Sequence, residues 1–549
     1  MYRNLIVIIL LFFLADYTLF NLQIENYKLY KMLSERNCIR FIPLYGKRGR
    51  ILDAKGRLLA EDKEVYNLAV NSSELSRESL NFLSKTLKIS IKEIKDLIKK
   101  NYNYFFPTIL KRNLSKKEIF LFKMNEKFYP EITVLKTFKR RYNFRKIFSH
   151  VLGYTVNLTP IKKQIFKKYG LDIPKREGAK GIEKIFDEYL RPENGVIEIK
   201  VDSKLKIIEI LAIKKPKKGK DIQLTLDAEF QKVAFSALKN FKGVIIFGDI
   251  KGKIISLVSK PSFDIQRFVD KDNEYIKKIM QSKNAPLLNR ATQGVYPPGS
   301  IFKLVLSVGA LQENLISIND KFFCSGEFKY GNRIFKCWSE HGYQNIISAI
   351  KNSCNVYFYN LGLKMGKKNI LKYADLLGFS QKTGIELEEK KGYLPSGDLS
   401  ETNILNISIG QGKILVTPIQ VFKLMCFIAN KGKLVKPYII KRIGEIEVKP
   451  ELKPSEIKEK NLEIIKMGMR RAVQDGTAQI LSKLKLNICA KTGTAQNPKE
   501  PHSWVAGFFP YKKPKYVFVV LLEHGGSSIN ACKIAFKFLK GLKEKGLIK

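Results

Sequence analysis

One long apolar stretch lies at the start of the chain and limits what can follow it. Leu5 to Ala15 carries no charge, Asp16 interrupts, and Tyr17 to Leu22 extends the run. Eighteen residues at 1.5 Å each make about 27 Å of helix, enough to cross a bilayer. No second stretch approaches that length. A cleaved leader needs small residues after its apolar core. Here the core runs into Asp16-Tyr17-Thr18-Leu19-Phe20, so the segment reads as an uncleaved anchor. Arg3 and the terminal amine favour a cytoplasmic N-terminus, and long following domains translocate largely regardless of charge. The expected layout is a tail at 1–4, a single inner-membrane span at 5–24, and the bulk of the chain in the periplasm. Asp16 is costly in lipid and is expected near the outer interface.

The remaining residues must form more than one folded unit, since 549 residues exceed an ordinary domain. Apolar residues make up 45% of the chain, which excludes wholesale disorder. The formal charge is +48, from 99 Lys and Arg against 51 Asp and Glu. Such a charge invites a nucleic-acid reading. The lysines are spread along the whole chain, however, and no zinc finger, RNP-like segment or basic zipper accompanies them. No nucleic-acid partner is expected. Basic charge outside the cytoplasm instead suits anionic lipid surfaces.

Two regions follow the anchor. Arg48 to Ala60 reads as strand, Asp/Lys-Gly turn, strand. Ser90 to Lys100 is a charged amphipathic helix in which Ser90 and Glu93 are spaced as a capping box. Gly178 to Lys184 opens a further helix that runs to Leu190. Lys214 to Lys220, basic with Pro and Gly, reads as a linker between a unit at 40–215 and another at 221–549. In the second unit, a strand at 221–227 leads into a helix. Gly243–Ile250 and Lys253–Ser259 form a hairpin around Lys251-Gly252, and a helical middle follows. Late strands are expected at 488–495, 503–509 and 516–523. Early strands, central helices and late strands imply an antiparallel sheet flanked by helices. The fold class is therefore mixed, α+β with α/β character.

Three short motifs in the second unit carry chemistry. In Tyr296-Pro297-Pro298-Gly299-Ser300-Ile301-Phe302-Lys303, the Pro-Pro-Gly turn starts a helix near Ser300. Residues three apart on a helix share a face, so Lys303 can meet the Ser300 hydroxyl. A serine needs a base to become a nucleophile, and a desolvated lysine can be that base. Ser353-Cys354-Asn355 offers a hydroxyl for proton relay and an amide for a substrate peptide group. Lys491-Thr492-Gly493-Thr494 reads as a strand. Its lysine suits a carboxylate, its glycine admits substrate backbone, and a following N–H can complete an oxyanion hole with that of Ser300. Each motif alone is weak. Their order carries the signal: Ser353 follows Ser300 by 53 residues and Lys491 follows Ser353 by 138.

This ordered set resembles the serine penicillin-binding and β-lactamase-like enzymes. The resemblance extends to Asn289-Arg290-Ala291-Thr292-Gln293-Gly294, Ser259 to Asp264, Thr383 to Leu387, Ser408-Ile409-Gly410-Gln411-Gly412, Gly476-Thr477-Ala478 and His502 to Phe508. Upstream, Arg48 to Ala60, His150 to Tyr154 and Gly181-Ile182-Glu183 resemble the pedestal of class B penicillin-binding proteins. The lead-in to His150, usually Pro-containing, is Arg141-Tyr142-Asn143-Phe144-Arg145 here. Within that class, Pro-Pro-Gly-Ser and the Cys-Trp…His-Gly segment look most like penicillin-binding protein 2, the elongation transpeptidase. The resemblance implies a dimerisation or pedestal domain at 40–215 and a transpeptidase domain at 221–549. It implies D,D-transpeptidation of peptidoglycan stem peptides through a Ser300 acyl-enzyme, with β-lactams as covalent inhibitors and hydrolysis as a weak carboxypeptidase side reaction. Lys303, Ser353 and Asn355 are the implied catalytic partners, and Lys491, Thr492, Gly493 and Thr494 the substrate-binding residues. A RodA-type glycosyltransferase and an MreC-type scaffold are the implied partners. The rivals are a division-specific transpeptidase, a β-lactamase and a β-lactam sensor. A β-lactamase needs neither anchor nor pedestal, and a sensor needs further spans for signalling.

Seven cysteines are scattered without a disulfide framework. Cys324, Cys337, His341 and Cys354 fall close together in sequence, and three thiolates with one imidazole make a common structural zinc set. A Cys324–Cys337 disulfide and buried thiols are the other readings. No cofactor is expected in catalysis. His502 and His524 read as loop histidines beside a strand rather than as catalytic bases.

Overall fold

The computed structural model describes residues 2–70, 75–101, 107–158, 176–202, 207–396 and 400–549. The N-terminal helix Tyr2–Phe20 continues through a π turn, Asn21–Glu25, into a second helix, Tyr27–Cys38. Leu5–Glu25 is long and apolar enough to cross a membrane, and none of it is buried against protein. Its length matches the hydrocarbon thickness of a bilayer.

The pedestal is built on a long antiparallel pair, Leu58–Val70 with Ile132–Tyr142. The strand–turn–strand expected from Arg48 to Ala60 is present as Ile51–Leu52 and the start of Leu58–Val70. Three helices, Arg77–Leu87, Ile91–Asn101 and Lys116–Met124, cover a small core of Leu68, Val70, Leu83, Ile94, Ile98 and Phe122. The Ser90–Glu93 capping box forms as the spacing predicts, with Glu93 N donating to Ser90 Oγ at 3.2 Å and Ser90 N to Glu93 Oε2 at 2.9 Å. The helix expected from Gly178 to Leu190 is instead two short helices, Gly181–Ile185 and Asp187–Leu190.

Glu183, on the first of these, is the electrostatic centre of the pedestal. Arg48 Nε and Arg140 Nε both donate to its carboxylate at 2.7 Å, and Tyr142 Oη donates at 3.1 Å. Arg48 also pairs with Asp187 at 2.7 Å. Burial opposes the Glu183 charge, but the two guanidinium groups prevail and hold its carboxyl below the usual range. Residues far apart in sequence are thereby tied to one point.

The segment 214–220 is pinned rather than free. Lys217 exchanges backbone hydrogen bonds with Glu193, Gly219 N donates to Lys47 O at 3.0 Å, and Lys220 N donates to Tyr189 O at 2.7 Å. Ile222–Leu224 then pairs in parallel with Ile51–Leu52 and antiparallel with Ile440–Ile443. One seven-stranded sheet therefore contains strands from both halves of the chain.

The catalytic half is a five-stranded antiparallel sheet. Its order is Ile254–Lys260, Gly243–Asp249, Tyr516–Leu522, His502–Phe509, Cys489–Ala495. Alternate residues face opposite sides of a strand, and both faces are covered here. Ile245, Phe247, Val505 and Val520 pack with Ala535, Phe538 and Leu539 of the C-terminal helix Ser528–Glu544. Ile246, Trp504, Ala506 and Val519 pack toward the buried helices Lys303–Gln312 and Pro418–Ala429. Full burial of such side chains contributes about 1.5–3 kcal/mol each before entropy is counted. Cys489–Ala495 ends the sheet, so its outer edge is open to an incoming extended chain.

Candidate active site

Ser300 sits in the middle of a single 3-10 turn, Gly299–Ile301, which leads into the helix Lys303–Gln312. Two contacts fix the turn from outside. Trp504 Nε1 donates to Pro297 O at 3.1 Å, and Gly299 N donates to Gly410 O at 3.0 Å. Gly410 has φ +72°, and a Cβ there would lie 2.0 Å from Gly299 O, so only glycine lets the 408–412 segment reach the turn. Gly493 serves the strand side in the same way. A Cβ on it would lie 3.2 Å from Pro298 O and 3.3 Å from Ile301 Cγ1.

The other two motifs converge on the first. Ser353 caps the helix Ile346–Asn352 in the left-handed region, φ +54°, and Asn355 begins the next helix. Lys303 Nζ donates to Ser353 O and to Asn355 Oδ1, each at 2.7 Å, and lies 3.5 Å from Ser353 Oγ. Lys491 Nζ donates to Ser353 Oγ at 2.7 Å and to Thr492 O at 3.0 Å. Thr492 Oγ1 donates to Thr477 Oγ1 at 2.8 Å, and Thr494 Oγ1 accepts from Ser528 N at 3.2 Å. Among the described residues, the short bonds of Lys303 go to the Ser353–Asn355 loop and none goes to Ser300. Such catalytic bonds often tighten only when substrate arrives.

Lys303 and Lys491 are both 0% exposed. Burial disfavours each ammonium. It pulls Lys303 down to about 8, with the Cys354, Cys337 and Cys324 sulfurs opposing the shift. Lys491 is driven well below its ordinary value by burial and then by the neighbouring Lys303 charge.

The thiols and imidazole expected to form one set are brought together. The ligand atoms of Cys324, Cys337, His341 and Cys354 all lie within 4.8 Å of one another. His341 Nδ1 lies 3.5 Å from Cys324 Sγ and 3.6 Å from Cys337 Sγ. All four cysteine and histidine members belong to the lobe at 322–344 or to the catalytic loop, and the cysteines are free thiols, with no Cys324–Cys337 bond. Hydrogen bonds from Cys354 and from backbone amides lower the Cys337 thiol, while the same bond to Cys337 and burial push Cys354 up.

The family comparisons agree with this geometry. The penicillin-binding protein transpeptidase domain matches residues 243–540, and the penicillin-binding protein dimerisation domain matches residues 43–224. The chain belongs to the class B penicillin-binding proteins. It is 30% identical to the peptidoglycan D,D-transpeptidase MrdA of Haemophilus influenzae, over 95% of this chain and 88% of that protein. It resembles a penicillin-binding protein 2 in complex with MreC from Helicobacter pylori, with TM-score 0.82 and 27% identity over 93% of this chain and 99% of that one. A solved peptidoglycan synthase complex, described as coordinating polymerisation and cross-linking, matches with TM-score 0.75 and 26% identity over 100% of this chain and 98% of that one.

Some residues of this penicillin-binding protein had no chemical signal in the sequence. Gly410 and Gln411 were legible only as part of a familiar segment, yet one carbonyl seats the nucleophile turn and the Gln411 amide donates to Thr494 O at 3.4 Å. Lys336 O accepts from Asn355 Nδ2 at 3.2 Å, a backbone contact that no side-chain pattern reveals. His502 begins an inner strand. Its Nδ1 accepts from His524 N at 3.1 Å, its ring packs on Tyr296, and burial followed by the His524 charge lowers it to about 4. His502 thus opens a buried strand, where a loop position was expected.

Proposed function

We propose that this chain performs elongation-type D,D-transpeptidation with Ser300 as nucleophile. The observation that carries the reading is the meeting of Lys303, Asn355, Ser353 and Lys491 through bonds of 2.7 Å beside the Ser300 turn. Neutral Lys303 takes the Ser300 proton as Oγ attacks the penultimate D-alanine carbonyl of a stem peptide. Ser353 lies between Lys303 and Lys491 and relays the proton toward the leaving amine. The Ser300 and Thr494 backbone N–H groups hold the oxyanion. Lys491, Thr492 and Thr494 bind the terminal carboxylate region, and Asn355 binds the stem amide. Gly493 leaves room for the stem to pair with the open edge of Cys489–Ala495. D-alanine departs, a neighbouring stem amine attacks the acyl-enzyme, and the serine is restored. A β-lactam enters the same path and stops at the acyl-enzyme.

The chemistry is assigned to the periplasmic side of the cytoplasmic membrane, a reading supported by the apolar helix Leu5–Glu25, which is long enough to span a bilayer. A RodA-type glycosyltransferase is the partner that supplies glycan, and an MreC-type scaffold is the second partner. The comparison with solved complexes of relatives supports both. The purified chain, given nascent glycan bearing pentapeptide stems, is expected to release D-alanine together with cross-linked stems, and benzylpenicillin is expected to stop both. D-alanine release that penicillin leaves untouched contradicts the reading.

Cys324, Cys337, His341 and Cys354 fit a structural zinc ion. Three sulfurs and one nitrogen are a tetrahedral zinc donor set, and the convergence of their ligand atoms within 4.8 Å is what such a site requires. His341 would bind through Nδ1, which faces the sulfurs. The ion would fix the lobe at 322–344 to the catalytic loop, and no catalytic step passes through it. Elemental analysis of protein purified without chelator is expected to give about one equivalent of zinc, and less than about a tenth contradicts the proposal.

A further inference from the structure

The lobe at 322–344 does more than carry thiols. It consists of two small hairpins, Phe322–Cys324 with Gly342–Gln344 and Glu327–Tyr330 with Arg333–Lys336. Asn355 Nδ2 binds Lys336 O and Trp338 Nε1 donates to Asn352 O at 2.9 Å, so the lobe lies directly against the catalytic loop. Three large aromatic residues on it face water: Trp338 is 62% exposed, Phe323 58% and Tyr343 72%. Phe323 stands opposite Tyr343 in the hairpin, with ring centroids 5.1 Å apart.

Trp338 is the unusual member. Its indole N–H is fixed by the Asn352 carbonyl, and His341 holds its ring at 4.9 Å in an edge contact. The neighbours Ser339 and Glu340 are exposed and polar. An aromatic ring that is held in place yet left open has already lost its rotamer freedom, so a ligand that stacks on it bears little further ordering cost. A rigid apolar face with a polar surround suits a ligand that is itself apolar on one face and hydroxylated at its rim. A pyranose ring is such a ligand.

The reaction supplies that ligand. The stem peptide that acylates Ser300 is attached to a sugar of the glycan strand. Four extended residues span about 14 Å, so the sugar lies on that scale from the acyl carbon. Trp338 Nε1 donates to the carbonyl of Asn352, the residue preceding Ser353, so the ring stands beside the loop that holds Ser353 and Asn355. We infer that Trp338 is a stacking platform for a glycan sugar of the substrate, with Phe323 and Tyr343 extending the saccharide surface of the lobe. This rests on the transpeptidase reading above and names a subsite beyond the peptide-binding motifs.

The chain has two tryptophans, and Trp504 is 0% exposed, so the quencher-accessible emission belongs to Trp338. Full-length Ser300→Ala protein, which cannot turn over, is titrated with disaccharide pentapeptide and, separately, with the sugar-free pentapeptide. The disaccharide pentapeptide is expected to shield Trp338 from iodide quenching, and the free pentapeptide is not. Equal shielding by both, or by neither, overturns the inference. In kinetics, Trp338→Ala is expected to lower cross-linking of glycan-borne stems relative to acylation by sugar-free penicillin about tenfold, whereas Trp338→Phe, which keeps a ring, holds that ratio within about threefold. An equal fall in both reactions means that Trp338 only positions the Asn352 carbonyl, and it overturns the proposal. A wild-type chain that penicillin leaves unlabelled overturns the transpeptidase reading itself, which separates the two failures.

Discussion

Lys303→Ala is expected to slow acylation by penicillin about 10²–10⁴-fold, the span that general-base groups supply. Lys303 is fully buried and bonded to Ser353 O and Asn355 Oδ1, so it has a defined place and no access to bulk water. Burial lowers its ammonium to about 8. Because the free-base form accepts the serine proton, the wild-type acylation rate rises with pH through about 8 and levels above it. At pH 7 about a tenth of the lysine is already neutral, against roughly one part in a few thousand for an ordinary lysine. Lys303→Arg separates charge from basicity. Arginine keeps the positive charge and does not deprotonate, so it is expected to fail as Lys303→Ala does. Stopped-flow acylation across pH 6–10 checks all three statements. A flat wild-type profile, or an active Lys303→Arg variant, contradicts the role.

Glu183→Ala is expected to destabilise the pedestal by about 3–5 kcal/mol, because removing the shared carboxylate of a buried ion cluster leaves two buried guanidinium charges short of compensation. Arg48 and Arg140 are 5% and 0% exposed and converge on the same carboxylate. With that carboxylate gone, Arg140 keeps a carbonyl bond to Gly49, a longer pairing with Asp62 at 3.6 Å and the Tyr142 ring at 6.0 Å. The Glu183 carboxyl lies below its ordinary range in the folded chain. Its contribution is therefore present above the unfolded value, about 4.3, and is lost as pH falls through the folded one. Urea unfolding of wild type and variant at neutral pH measures the loss. A difference below about 1 kcal/mol would place the cluster among replaceable polar contacts.

The parts of this molecule that were legible in the sequence share a physical cause. Alternating or continuous apolar runs marked Gly243–Asp249, Ile254–Lys260 and the three late strands, because burial on both faces selects such residues. The meeting of Lys303, Ser353, Asn355 and Lys491 was legible because SxxK, SxN and KTG combine residue types whose chemistry is useful only together. Contacts made by backbone were not legible. Nothing in the side chain of Gly410 announces that its carbonyl seats Gly299, and nothing in Lys336 announces a carbonyl for Asn355. The pinning of 214–220 was hidden for the same reason, since a basic Pro/Gly segment looks like a linker until its amides find Lys47 and Tyr189. The Ser300–Lys303 pairing drawn from helical spacing differs from the geometry seen. Lys303 turns to the Ser353 loop, because a buried ammonium needs oxygen acceptors and Ser353 O and Asn355 Oδ1 supply them.

Covalent labelling tests the assignment of Ser300 most directly. Wild-type and Ser300→Ala protein are incubated with fluorescent penicillin, digested, and mapped by mass spectrometry. The label is expected on the peptide containing Ser300 in the wild type, and on no peptide of the variant. Label retained by Ser300→Ala, or carried by another residue in the wild type, contradicts the assignment of the nucleophile and the mechanism built on it.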